Sequence, residues 1–140
     1  MTNAKKRTLG VLAAVLLLAG AAQILIHVFG GGSGQTLTIR AEADGAVILE
    51  EALHTNARFV VADGTVRRVT DDRTTQELLE EAAGQARAVN IIELRDGKAC
   101  CAASNCPNQI CVQTQAITPE AHDTPIVCLP HRLTIYGVEK

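Results

Sequence analysis

Residues 36–52 read TLTIRAEADGAVILEEA, two apolar-rich runs joined by Asp44-Gly45. In the first run Leu37, Ile39 and Ala41 fall on one face of an extended chain, and Thr38, Arg40 and Glu42 on the other. Asp-Gly suits a two-residue hairpin because both central residues of a type I′ turn need positive φ. The same device recurs where Asp63-Gly64 separates ARFVVA from TVRRVT, and where Asp96-Gly97 separates VNIIEL from KACCA. Three such turns predict an antiparallel, β-rich domain rather than a parallel α/β one. Val66 and Val69 break strict alternation, so the strand after Asp63-Gly64 is expected to be short or bulged. Residues 131–139, HRLTIYGVE, alternate again and supply a closing strand.

Residues 71–88, DDRTTQELLEEAAGQARA, have a different pattern. Thr74 or Thr75 can cap a helix, Glu77 stands at capping-box distance from Thr74, and Gly84 can end it. One short helix packed on a sheet is expected, with a strand through QELLEEA as the alternative. The acid pairs Glu50–Glu51 and Glu80–Glu81 do not read as catalytic. Neighbours on a strand point to opposite faces, and a charged helix edge is usually solvated.

The other end of the chain supplies a location. The run from Leu9 to Phe29, LGVLAAVLLLAGAAQILIHVF, carries no formal charge with His27 neutral. As a helix it would span about 32 Å, enough to cross a hydrocarbon core of about 30 Å. Lys5, Lys6 and Arg7 place residues 1–8 in the cytoplasm and the rest of the chain outside. Ala19-Gly20-Ala21 resembles a signal-peptidase site, but ILIHVF extends the apolar run beyond it, which favours a retained anchor over a cleaved leader. Residues 30–35 begin GGGSG and form a flexible tether to a domain at 36–140. The formal net charge is −2, and setting aside the three N-terminal cations leaves about −5 on the remainder. With no Trp, one Tyr and two Phe, the chain also lacks aromatic stacking platforms. Nucleic acid is therefore excluded as a partner, and the cell membrane is the one partner the sequence identifies.

All five cysteines lie between Cys100 and Cys128. In KACCA, Cys100 and Cys101 point to opposite faces, so one is a small core residue and the other is exposed. Cys106, Cys111 and Cys128 are disulfide candidates, because thiols outside the cell are readily oxidised. Chain entropy scarcely selects a pairing: it favours Cys106–Cys111 by about 2.2 kcal/mol, Cys111–Cys128 by about 3.2 and Cys106–Cys128 by about 3.4. Cys111–Cys128 is preferred because it would tie a loop to the closing strand, and the other pairings stay open. A second reading is a zinc site, since Cys106, Cys111, Cys128 and His131 make a chemically adequate tetrahedral set. The spacing also resembles the Rieske iron–sulfur pattern, but Gln113 stands where the first His would be, and an amide is a poor iron ligand. Thiol–disulfide exchange is disfavoured because the pair is not C-x-x-C and no cation lies in the loop. His131 reads most simply as a surface residue at a strand start.

Three segments, NIIELRDGKA, NCPNQICV and IVCLPHRLTI, carry a family resemblance. The sequence resembles NusG domain II, specifically the membrane-anchored, extracytoplasmic NusG domain II–containing proteins of bacteria. The resemblance is strong from Val89 to Ile135 and looser from Thr36 to Val69. It implies a small antiparallel β-barrel or sandwich with the cysteine loops at one end, and it implies neither transcription antitermination nor an enzymatic activity. Cys106, Cys111 and Cys128 match the family's cysteine pattern, whereas Cys100 and Cys101 look like additions. The Gly-Trp often found after the second cysteine is replaced by Gln115-Ala116. The expectation is a mainly β domain behind a single transmembrane helix, acting without a cofactor as a non-catalytic binding or accessory module. A redox or metal-binding envelope component is the alternative.

Overall fold

In the computed structural model, which describes residues 36–140, each Asp-Gly pair is a hairpin turn with positive φ at both residues. The values are 51° and 80° at Asp44-Gly45, 47° and 79° at Asp63-Gly64, and 51° and 71° at Asp96-Gly97. The turns join β1 (Leu37–Ala43) to β2 (Ala46–Ala52), β3 (Ala57–Ala62) to β4 (Thr65–Arg68), and β5 (Val89–Arg95) to β6 (Lys98–Ser104). The chain closes through β7 (Ile126–Cys128), a 3₁₀ turn over Leu129–His131, and β8 (Leu133–Glu139). As the broken alternation predicts, β4 is short, at four residues.

Every strand pairing is antiparallel, and the strands form two sheets ordered β2-β1-β8-β7 and β4-β3-β5-β6. Ile39, Ala41, Leu133 and Ile135 from the first sheet share one buried cluster with Phe59, Val61, Ile92 and Leu94 from the second. The domain is therefore a sandwich. The barrel half of the expectation is corrected: each sheet keeps its own edge strands, and neither closes on itself or on the other. Closure depends on which edges meet, and alternation within a strand carries no information on that.

The helix is α1 (Thr75–Ala83), and it starts as read. Thr74 and Glu77 form a reciprocal capping box, with Glu77 Oε2 accepting from Thr74 N at 2.7 Å. Leu78, fully buried, packs with Val60, Val89 and Ile91 in a second cluster on the outer face of the second sheet. This explains the unbroken apolar run at the start of β5: Ile92 and Leu94 face the sandwich core, while Val89 and Ile91 face α1. The two acid pairs are surface partners, as expected. Glu50 pairs with Arg40 and Lys140, Glu51 with Arg68, and Glu81 with Arg73.

The expected cytoplasmic tail, transmembrane span and tether lie outside the described residues. Among the described residues no helix is long and apolar enough to cross a membrane.

Candidate functional site

The cysteine end of the sandwich is built by a bulge, a polar loop and a short strand. In β6, Ala99 and Cys101 face the core, and simple alternation would send Ala103 inward next. The register shifts between Ile91 and Ile92, where β6 carries one extra residue: Ile92 pairs with Cys101 but Ile91 pairs with Ala103. Ser104 therefore turns inward opposite Asn90 of β5. The chain then enters the CPNQIC loop, which ends in a single helical turn, α2 (Ile110–Gln113). Gln109 begins that turn at φ 55°, a left-handed conformation unusual for a side chain of this size. Its amide Nε2 holds the loop in this form by donating to Ser104 O at 2.7 Å and to Cys106 O at 2.5 Å.

This folding brings the three candidate cysteines together. The sulfurs of Cys106, Cys111 and Cys128 all lie within 4.8 Å of one another, with Cys106 Sγ 3.6 Å from Cys111 Sγ. All three residues are buried, each no more than 2% exposed. Cys101 is equally buried, and Cys100 on the opposite face is half-buried rather than fully exposed.

Of the four residues in the expected zinc set, the structure gathers the three cysteines and leaves His131 outside their 4.8 Å group. It is half-buried in the 3₁₀ turn, ahead of the closing strand rather than within it, and its Nδ1 meets Asn90 Oδ1 at 2.7 Å. Asn90 is only 1% exposed, and its amide Nδ2 donates to Ser104 Oγ at 3.1 Å, Cys101 Sγ at 3.5 Å and Cys111 Sγ at 3.7 Å. Ser104 Oγ in turn donates to Val89 O and accepts from Cys106 N, both at 3.1 Å. Sequence reading missed Asn90 and Ser104. One polar residue per strand breaks no periodicity, and only the bulge points Ser104 inward.

The environment separates the thiols electrostatically. Burial would raise the Cys106 thiol, but hydrogen bonds from Ser104, Cys111 and the Gln109 backbone outweigh it and bring the group below its ordinary value. Burial pushes Cys111 far up, and the neighbouring Cys101 and Cys106 sulfurs add to the shift. Burial also raises Cys101, against the opposing hydrogen bond from Asn90. Of the two neighbouring thiols, Cys106 is therefore the one that gives up its proton first. Such a cluster has two chemical capacities, sulfur–sulfur bond formation and the holding of a soft metal ion.

The fold and the cysteine end together define a two-sheet β domain of the NusG domain II type. The chain matches the NusG domain II family over residues 11–139 and belongs to it. Similar solved structures include the following two. One is a DUF1312 family protein from Enterococcus faecalis V583, with a TM-score of 0.51 and 20% identity, covering 75% of this chain and 99% of that one. The other is the Lin0431 protein from Listeria innocua, with a TM-score of 0.52 and 18% identity, covering 75% of this chain and 98% of that one. At these identities the likeness shows the fold. No curated protein matches the chain.

Proposed function

We propose that this protein is an accessory module of the bacterial envelope, anchored in the membrane by Leu9 to Phe29, with residues 36–140 outside the cell. It acts by binding an envelope protein rather than by catalysis. The observation that carries this reading is the cysteine end of the sandwich. Cys111 and Cys128 are buried beside each other, yet the residues next to them in sequence, Ile110 and Leu129, are 60% and 79% exposed. Among the described residues only three large hydrophobic side chains are exposed, and two of them, Ile110 and Leu129, flank this cysteine end, where paired exposed apolar groups favour a contact surface. The anchor and orientation rest on the apolar run and on Lys5, Lys6 and Arg7.

Two measurements test the reading. Protease added to intact protoplasts is expected to remove the 36–140 domain while leaving cytoplasmic markers whole. Survival of the domain would overturn the orientation. A photo-crosslinking residue at Leu129 or Ile110 is expected to give a discrete adduct in intact cells. The same residue at Val47, which is 51% exposed in β2, is expected to give none. Identical products from all three positions would contradict a contact surface at the cysteine end.

A further inference from the structure

We propose that Cys101, Cys106, Cys111 and Cys128 hold one soft divalent cation of the zinc class as a closed, all-sulfur site, with Asn90 as its positioning residue. This goes beyond the accessory role and does not depend on what the module binds. Three of the sulfurs already lie within 4.8 Å of one another in the buried end of the sandwich. A tetrahedral ion with metal–sulfur bonds of about 2.3 Å needs neighbouring sulfurs about 3.8 Å apart. The Cys106–Cys111 separation of 3.6 Å is close to that.

A closed zinc site takes four protein ligands, so a fourth donor is required. Cys101 and His131 both lie outside that 4.8 Å group. Cys101 is the stronger candidate because its buried thiol contacts the same Asn90 amide as Cys111, whereas half-buried His131 meets the far, oxygen side of Asn90. Cys101 is the sulfur that flanks the trio: it faces the core from β6 and shares the Asn90 amide with Cys111. The spacing becomes C-x4-C-x4-C-x16-C.

Asn90 is the second and independent observation. A carboxamide is costly to bury, and this one is 1% exposed, with its oxygen occupied by His131 and its N–H groups directed at Ser104 and two sulfurs. Four thiolates around a divalent ion leave two negative charges in a core, and N–H donors aimed at the sulfurs offset them. Gln109 Nε2, 3.9 Å from Cys106 Sγ, adds a weaker contact of the same kind. Outer-shell donors of this type orient ligands and tune the ion. The Cys111–Cys128 disulfide would use only one of the two sulfurs that the Asn90 amide contacts and would leave Cys101 and Cys106 as buried thiols.

The test uses the full chain in detergent, reduced and stripped of metal under anaerobic conditions, then titrated with Co²⁺ and afterwards with Zn²⁺. The expected result is one Co²⁺ per chain with tetrahedral, thiolate-rich absorption, displaced by Zn²⁺. On the same wild-type protein, zinc should protect Cys101, Cys106, Cys111 and Cys128 from alkylation relative to the stripped form, and leave Cys100 unchanged. Neither readout needs a variant that might misfold. Cys128→Ser should lower the thiolate charge-transfer intensity by about a quarter. Asn90→Ala should keep the band but weaken affinity about tenfold to a hundredfold. His131→Gln should leave the band unchanged. No metal uptake by the reduced wild type, zinc protection that omits Cys101, or a band diminished by His131→Gln would each overturn the proposal.

Discussion

Asn90→Ala isolates the polar contacts that organise the cysteine end. The substitution removes the acceptor for His131 Nδ1 at 2.7 Å and the donor to Ser104 Oγ at 3.1 Å, together with the longer contacts to two sulfurs. Ser104 keeps its bonds to Val89 O and Cys106 N, and half-buried His131 can turn toward water, so neither is left fully stranded. Two neutral hydrogen bonds contribute about 1 kcal/mol each, and the lost side-chain volume adds about 1 more, for an expected destabilisation of about 2 to 4 kcal/mol. The assay is urea unfolding of the 36–140 domain under reducing, metal-free conditions. Asn90→Ala, His131→Ala and the double variant complete a cycle, with an expected coupling of about 1 kcal/mol between the two sites. A coupling within about 0.3 kcal/mol of zero, or a cost for Asn90→Ala below about 0.5 kcal/mol, would refute the claim that the amide orders this end.

Leu78→Ala should cost about 2 to 5 kcal/mol in the same unfolding assay, because the fully buried Leu78 side chain anchors α1 to β3 and β5. Thr74→Ala removes the cap of α1 and should cost about 1 kcal/mol in the same titration. Gly97→Ala places a side chain at φ 71° in open space, so the expected loss of about 1 kcal/mol comes from backbone strain alone and should appear with no change in the β-sheet circular dichroism signal. Stability should also fall on acidification. Burial lowers the His131 pKa from its ordinary 6.5, so the unfolded chain binds the proton more readily, and stability is lost as the pH drops through 6.5 toward the folded value. His131→Gln should flatten that part of a stability–pH profile measured by urea midpoint.

Much of the sandwich could be read locally. Asp-Gly meets the positive-φ demand of a type I′ turn with two residues, so each hairpin was visible without any knowledge of its partners. The capping box announced α1 in the same way, through Thr74 and Glu77. What sequence could not show was set by distant contacts. Whether the two sheets close depends on which edges meet, and β2, β4, β6 and β7 remain edges. The cysteine trio stands out in the sequence, but its convergence depends on Gln109 adopting a left-handed backbone and bonding back across the loop. Ser104 reaches the site only because the β5–β6 bulge reverses its face. His131 read as a surface residue because nothing in its neighbourhood in sequence predicts an amide on β5, 41 residues away, as its partner. Alternation places one of Cys100 and Cys101 inward, and leaves open that the inward one, Cys101, shares the Asn90 amide with Cys111.

The most direct measurement is X-ray absorption at the zinc edge of the full chain, reduced and loaded with one equivalent of zinc. The expected spectrum is a shell of sulfur scatterers alone, at about 2.3 Å, with no imidazole contribution. A shell containing nitrogen from His131, or zinc that remains hydrated and unbound, would contradict it.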